Sequence, residues 1–141
     1  MPVTNISALP SSSASRGLRV IVADDNRDAA VSLAMVLRDE GHEVLEVYRG
    51  DAVLELAASF HPDVLILDIG MPGLTGFEIA HALNRELRNA CPMLIAVTAW
   101  SQPAARAMGK LSGFDHYLTK PCSTDELLEI LASLSISGQQ R

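Results

Sequence analysis

The sequence predicts a three-layer α/β domain built on a doubly wound parallel sheet, and three observations carry that expectation. At 141 residues the chain is one domain with enough length for a real core. Short apolar runs that read as strands alternate with segments whose apolar residues recur at i, i+3, i+4 and i+7, which read as helices. The run Val64-Leu65-Ile66-Leu67 is wholly apolar and ends in turn residues, as a strand buried on both faces of a parallel sheet should. Parallel strands need crossovers, and right-handed crossovers place helices on both faces. Spacing alone leaves the strand order open.

Residues 1–16 are rich in Ser, Ala and Pro without periodicity and are expected to form a flexible leader. The folded domain is expected over residues 17–136. Leu18 to Ala23 is the first strand and runs into Asp24-Asp25-Asn26. Ala30, Leu33, Ala34 and Leu37 mark the first helix, with Gly41 as its stop. Val44 to Tyr48 is the second strand; Val53, Leu56, Ala57 and Phe60 mark the second helix, ended by Pro62. After the third strand, Val64 to Leu67, the chain turns through Asp68-Ile69-Gly70-Met71-Pro72-Gly73. Thr75-Gly76-Phe77-Glu78 fits a capping box that opens a third helix carrying Ala80, Leu83 and Leu87. Met93 to Thr98 is the fourth strand, and Ala104, Ala107, Met108 and Leu111 define a fourth helix closed by Gly113. His116 to Lys120 is a short fifth strand cut off by Pro121. Ser123-Thr124-Asp125-Glu126 fits a second capping box, opening a last helix with Leu127, Ile130, Leu131 and Leu134. Residues 137–141 are expected as a disordered tail.

Bulk properties narrow the function. A net charge of −6 offers no basic patch for nucleic-acid phosphates. No apolar run approaches the roughly 20 residues of a membrane span, and the start of the chain lacks a signal-peptide block. Cys91 and Cys122 have no metal-type spacing and read as free thiols, so the chain is expected in the cytoplasm. The four histidines (His42, His61, His81, His116) read as surface residues, Asp28 as a first-turn helix charge, and Arg106 with Lys110 as a solvated face.

Polar residues gather at one kind of place. Asp24 and Asp25 end the first strand, Asp68 the third, Thr98 the fourth and Lys120 the fifth. In a parallel sheet these ends share one edge, where open α/β sheets place their ligands. Two carboxylates about 4 Å apart repel by about 4 kcal/mol at an effective dielectric of 20, so the cluster wants a cation. Hard oxygen donors without a nearby histidine favour Mg²⁺ over zinc. A divalent ion and an ammonium beside a carboxylate suit phosphoryl transfer, with the remaining carboxylate attacking phosphorus.

From Leu18 to Leu134 the chain resembles the receiver domain of bacterial two-component response regulators, the group that includes the single-domain chemotaxis regulator. The matching motifs are Val22-Ala23-Asp24-Asp25-Asn26, Leu67-Asp68-Ile69-Gly70-Met71-Pro72-Gly73, Val97-Thr98-Ala99 and Tyr117-Leu118-Thr119-Lys120-Pro121. Within that group the first two motifs look most like receivers of hybrid histidine kinases. The resemblance implies a flavodoxin-like five-stranded sheet in the order 2-1-3-4-5 with five helices. It implies Asp68 as phosphoacceptor, Asp25, Asp68 and the Gly70 carbonyl as direct Mg²⁺ ligands, and Asp24 acting mainly through water. Lys120 would pair with the phosphoryl group, held by a cis Lys120–Pro121 bond. Thr98 and Tyr117 would form a switch that repacks the face made by the fourth helix, fifth strand and fifth helix. Trp100, two residues past Thr98, would border the mouth of the site and slow the approach of water.

The resemblance implies a signalling domain rather than an enzyme, one that promotes only its own phosphorylation and dephosphorylation. Its partners would be a histidine kinase or histidine phosphotransfer protein, a downstream protein on the switch face, and a second copy upon phosphorylation. A phosphatase or phosphotransferase of the haloacid dehalogenase type also uses an aspartyl phosphate. That family needs a second Asp two residues after the nucleophile, where this chain has Gly70.

Overall fold

The computed structural model describes residues 17–139, and side-chain surroundings as far as residue 134. The leader expected over residues 1–16 and the last two residues of the expected tail lie outside the described residues. The elements in order are β1 (Arg19–Ala23), α1 (Arg27–Asp39), β2 (Glu43–Val47), a 3-10 turn (Gly50–Ala52), α2 (Val53–Phe60), β3 (Val64–Leu67) and α3 (Gly76–Leu87). A second 3-10 turn (Arg88–Ala90) leads to β4 (Met93–Thr98), α4 (Pro103–Ser112), β5 (His116–Thr119) and α5 (Thr124–Gln139). All pairings are parallel and the sheet order is β2-β1-β3-β4-β5, the order the resemblance implied. Strand bounds fall within a residue of those read from the sequence, and α5 continues to Gln139, into the segment expected as a tail.

Alternation along the strands builds two cores, one on each face of the sheet. Ile21, Leu65, Leu67 and Leu94 pack with Val53, Ala57, Ile79 and Leu83 of α2 and α3. Val20, Val22, Ile66 and Val97 pack with Ala34 and Leu37 of α1 and with Leu127 and Leu131 of α5. Each large side chain taken out of water contributes about 2 kcal/mol, so the strands are anchored from both faces. Every residue of β3 is buried, as expected of a central parallel strand.

Helix ends follow local chemistry. The first capping box is complete: Thr75 Oγ1 accepts from the Glu78 N–H (3.2 Å), and Glu78 Oε1 accepts from the Thr75 N–H (2.9 Å). At α5, Ser123 Oγ accepts from the N–H groups of Asp125 (3.1 Å) and Glu126 (3.4 Å), without the reciprocal bond from Glu126 among the described residues. Asn26, which the sequence reading left unassigned, caps α1 by accepting from the Ala29 N–H at 3.1 Å. Asp28 sits in the first turn of α1 as expected.

Two expectations need correcting. The stripe Ala104, Ala107, Met108, Leu111 located α4 but not its buried face: Met108 is 50% and Leu111 84% exposed, and Gly109 is the helix's buried residue. α4 rests on β5 and α3 through that glycine side, so the apolar spacing marks an unpaired face. His42 is not a free surface residue: its Nδ1 accepts from the Leu18 N–H at 3.0 Å, and burial pulls the imidazole pKa below its usual value against the opposing charge of Glu40. No helix among the described residues is long and apolar enough to cross a membrane.

Candidate functional site

Strand register assembles the site. Ala23 of β1 lies opposite Leu67 of β3, so the residues that follow them, Asp24 and Asp68, emerge side by side. Thr98 of β4 pairs with Thr119 of β5, which sets Lys120 next to it. The Lys120 N–H donates to the Thr98 carbonyl at 2.7 Å, closing that end of the sheet. The Lys120–Pro121 bond is cis, as the resemblance implied.

The centre is an ionic triad. Lys120 Nζ donates to Asp24 Oδ2 at 3.0 Å and to Asp68 Oδ2 at 3.2 Å. The other oxygen of each carboxylate is held by backbone: Asp24 Oδ1 accepts from the Asn26 N–H, and Asp68 Oδ1 from the Gly70 N–H, both at 3.0 Å. Asp24 is buried and Asp25 is exposed. Burial is the largest influence on Asp68 and raises its pKa, with Asp24 adding to the rise; the Gly70 N–H and Lys120 oppose it without cancelling it. Burial works against the Lys120 ammonium, but hydrogen bonds and charge from Asp24 and Asp68 outweigh it and leave that pKa above its usual value.

One carboxylate oxygen each from Asp24, Asp25 and Asp68 lie within 4.8 Å of one another. Three hard oxygen donors, one of them open to water, fit a small divalent cation such as Mg²⁺. Thr98 is buried, and its Oγ1 accepts from the Trp100 N–H at 3.2 Å. Trp100 is 42% exposed, its ring lying 6.2 Å from that of Phe77. A Cβ on Gly70 would stand 3.7 Å from Trp100 Cζ2, which puts the indole beside the Asp68 loop. Tyr117 is half-buried and its hydroxyl donates to the Trp100 carbonyl at 2.8 Å. Arg106 is exposed, as expected of a solvated face, and from there donates to the Tyr117 carbonyl at 3.3 Å and lies against its ring.

The sequence reading missed Asn26 and Phe77. The signal for Asn26 was present, since an Asn just before a helix is a strong N-cap; its second role, orienting Asp24 through its own N–H, depends on the turn. Phe77 carries no sequence signal, because only the fold brings it to Trp100.

A family described as the response regulator receiver domain matches residues 20–132. The chain is 34% identical to protein PilH of Pseudomonas aeruginosa over 113 residues, covering 80% of this chain and 93% of PilH. It is 36% identical to the transcriptional regulatory protein TcrA of Mycobacterium tuberculosis over 86% of this chain, and spans 47% of that longer protein. Among solved structures, the chemotaxis response regulator CheY4 of Vibrio cholerae matches with a TM-score of 0.76 at 28% identity, over 84% of this chain and 98% of that one.

Proposed function

This chain belongs to the response regulator receiver domain family, and we propose that Asp68 is the residue on which it takes up a phosphoryl group from a phosphohistidine. The observation that carries the proposal is the Lys120 ammonium shared between Asp24 and Asp68 at the sheet edge. A carboxylate oxygen of Asp68 attacks phosphorus; the new O–P bond forms as the P–N bond breaks, and the electron pair leaves with the donor imidazole, which takes up a proton. Lys120 then turns from a carboxylate partner into a partner for the phosphoryl oxygens. Thr98 offers its hydroxyl proton to another of them, since its oxygen already accepts from Trp100.

Mg²⁺ would be held by Asp25, Asp68 and the Gly70 carbonyl, with Asp24 acting through water, and would supply positive charge to the phosphoryl oxygens. Drawing Thr98 toward the phosphoryl group moves the Trp100 backbone that anchors Tyr117, and so repacks the face of α4, β5 and α5. The partners are a histidine kinase or phosphotransfer protein at the site, and a downstream protein on the repacked face. That face also suits a second copy of the chain: α4 carries Arg106 and Lys110, α5 carries Asp125, Glu126 and Glu129, and α4 exposes Met108 and Leu111. The hybrid-kinase flavour of the motifs makes a relay station one setting for this domain.

The domain promotes its own phosphorylation and dephosphorylation and turns over no separate substrate. Incubated with acetyl phosphate and Mg²⁺, it should take up one phosphoryl group per chain and lose it slowly. Rapid release of phosphate from many equivalents would instead indicate a phosphatase. Trp100→Ala should shorten the phosphoaspartate lifetime a few-fold, an effect needing about 1 kcal/mol in the barrier, because the indole beside Gly70 hinders water. The decay of labelled protein measures this directly, and an unchanged lifetime would place the ring outside the path of water.

A further inference from the structure

α4 buries Gly109, and space rather than backbone freedom explains a glycine there. The residue lies inside the helix without a positive φ, where alanine would ordinarily be favoured. A Cβ at this position would stand 2.7 Å from Cδ2 and 2.9 Å from Cε2 of Tyr117, well inside carbon–carbon contact. The tyrosine ring therefore occupies the volume that any other side chain would claim. The Arg106 guanidinium carbon lies 5.3 Å from the ring centroid. The phenol hydroxyl is fixed on the Trp100 carbonyl at 2.8 Å, and the Trp100 N–H is fixed on Thr98 Oγ1 at 3.2 Å. A continuous chain of contacts thus joins Gly109 to the buried hydroxyl at the sheet edge.

We propose that Gly109 is a positioning residue: its missing side chain is the socket that holds Tyr117 against α4, and so sets the balance between the inward and outward positions of the tyrosine. The proposal rests on the switch role given to Thr98 and Tyr117. It makes α4 part of the control of the site, through a residue that touches neither the phosphoryl group nor the metal.

A double-mutant cycle with a spectroscopic readout tests it. Alanine in place of a helix-interior glycine normally raises the folding constant about fivefold. Gly109→Ala should give that gain in a Tyr117→Ala background, where the ring is gone, and should give no gain or a loss in the parent. In protein labelled with 3-fluorotyrosine, which has two tyrosines so that Tyr48 serves as internal reference, the Tyr117 fluorine signal of Gly109→Ala should shift to a solvent-exposed value. It should also stop responding to Mg²⁺ with beryllofluoride, which stands in for the phosphoryl group. A fivefold gain in both backgrounds, or a Tyr117 signal unmoved by Gly109→Ala, overturns the socket. If the cycle behaves as expected but the parent signal ignores beryllofluoride, the socket is sustained and the switch role it rests on is overturned.

Discussion

Lys120→Met should cut phosphoryl transfer to the domain by about a hundredfold or more, the usual loss when a preorganised charge on a transferring group is removed. It should also destabilise the metal-free domain by about 2 kcal/mol, discounted from the roughly 3–5 kcal/mol of a fully buried pair because the Lys120 side chain is 33% exposed. The loss should depend on pH. Burial holds the Asp68 pKa above its ordinary value, so the folded domain binds that proton more tightly than the unfolded chain. The associated stability is full below the ordinary carboxylate value of 3.8 and is lost as pH rises through the folded-state value. Without Lys120 both Asp24 and Asp68 lose their cation, so the deficit of the variant should be small in acid and widen toward neutrality. The raised pKa of Lys120 has the same sign, its contribution being present below the ordinary 10.5 and lost above the folded-state value. The gap between parent and variant is thus widest between the two ranges and narrows again in strong alkali. Mg²⁺ should restore part of the loss, since it brings cationic charge to the same carboxylates. Thermal unfolding from pH 4 to pH 9 (roughly the span between these ranges), with chelator and with Mg²⁺, measures all of this; a pH-independent deficit would contradict it.

Asp24→Ala and Asp25→Ala should have opposite consequences for stability although the residues are adjacent. Asp24 is buried and accepts from Lys120 Nζ and the Asn26 N–H, both at 3.0 Å. Its removal strands the Asn26 N–H and leaves Lys120 with Asp68 as its one remaining carboxylate, at a cost of about 2 kcal/mol. Asp25 is exposed and belongs to the same acidic cluster. Replacing it removes a repulsion and should maintain or slightly raise stability in metal-free buffer. Both variants should lose most Mg²⁺ affinity, Asp25→Ala the more completely. Calorimetric Mg²⁺ titration beside denaturant unfolding separates the two effects. Equal destabilisation by both changes would mean that the cluster is not crowded as the geometry implies.

The parts of the fold that were legible in the sequence are those fixed by periodicity and turn chemistry. Val64 to Leu67 has the continuous apolar run that suits a doubly covered strand, and Thr75 with Glu78 has the spacing of a capping box. The converging ends of the strands followed from parallel pairing, which is why Asp24, Asp68, Thr98 and Lys120 could be grouped in advance. The outward face of α4 could not be read, because apolar spacing marks a stripe without saying what covers it, and Leu111 is left open to solvent. Nor could the role of His42, whose acceptor nitrogen matters only because the α1–β2 turn brings it to Leu18. The Gly109–Tyr117 contact was hidden for the same reason: a helix glycine looks like a mild defect until the ring beside it is located.

The most direct measurement is where the phosphoryl group resides. Protein labelled with acetyl phosphate and Mg²⁺, reduced with borohydride and digested, should carry its modification on the peptide containing Asp68, and Asp68→Asn should take up no acid-labile label. Full labelling of Asp68→Asn, or a modified peptide elsewhere in the chain, would contradict Asp68 as the phosphoacceptor.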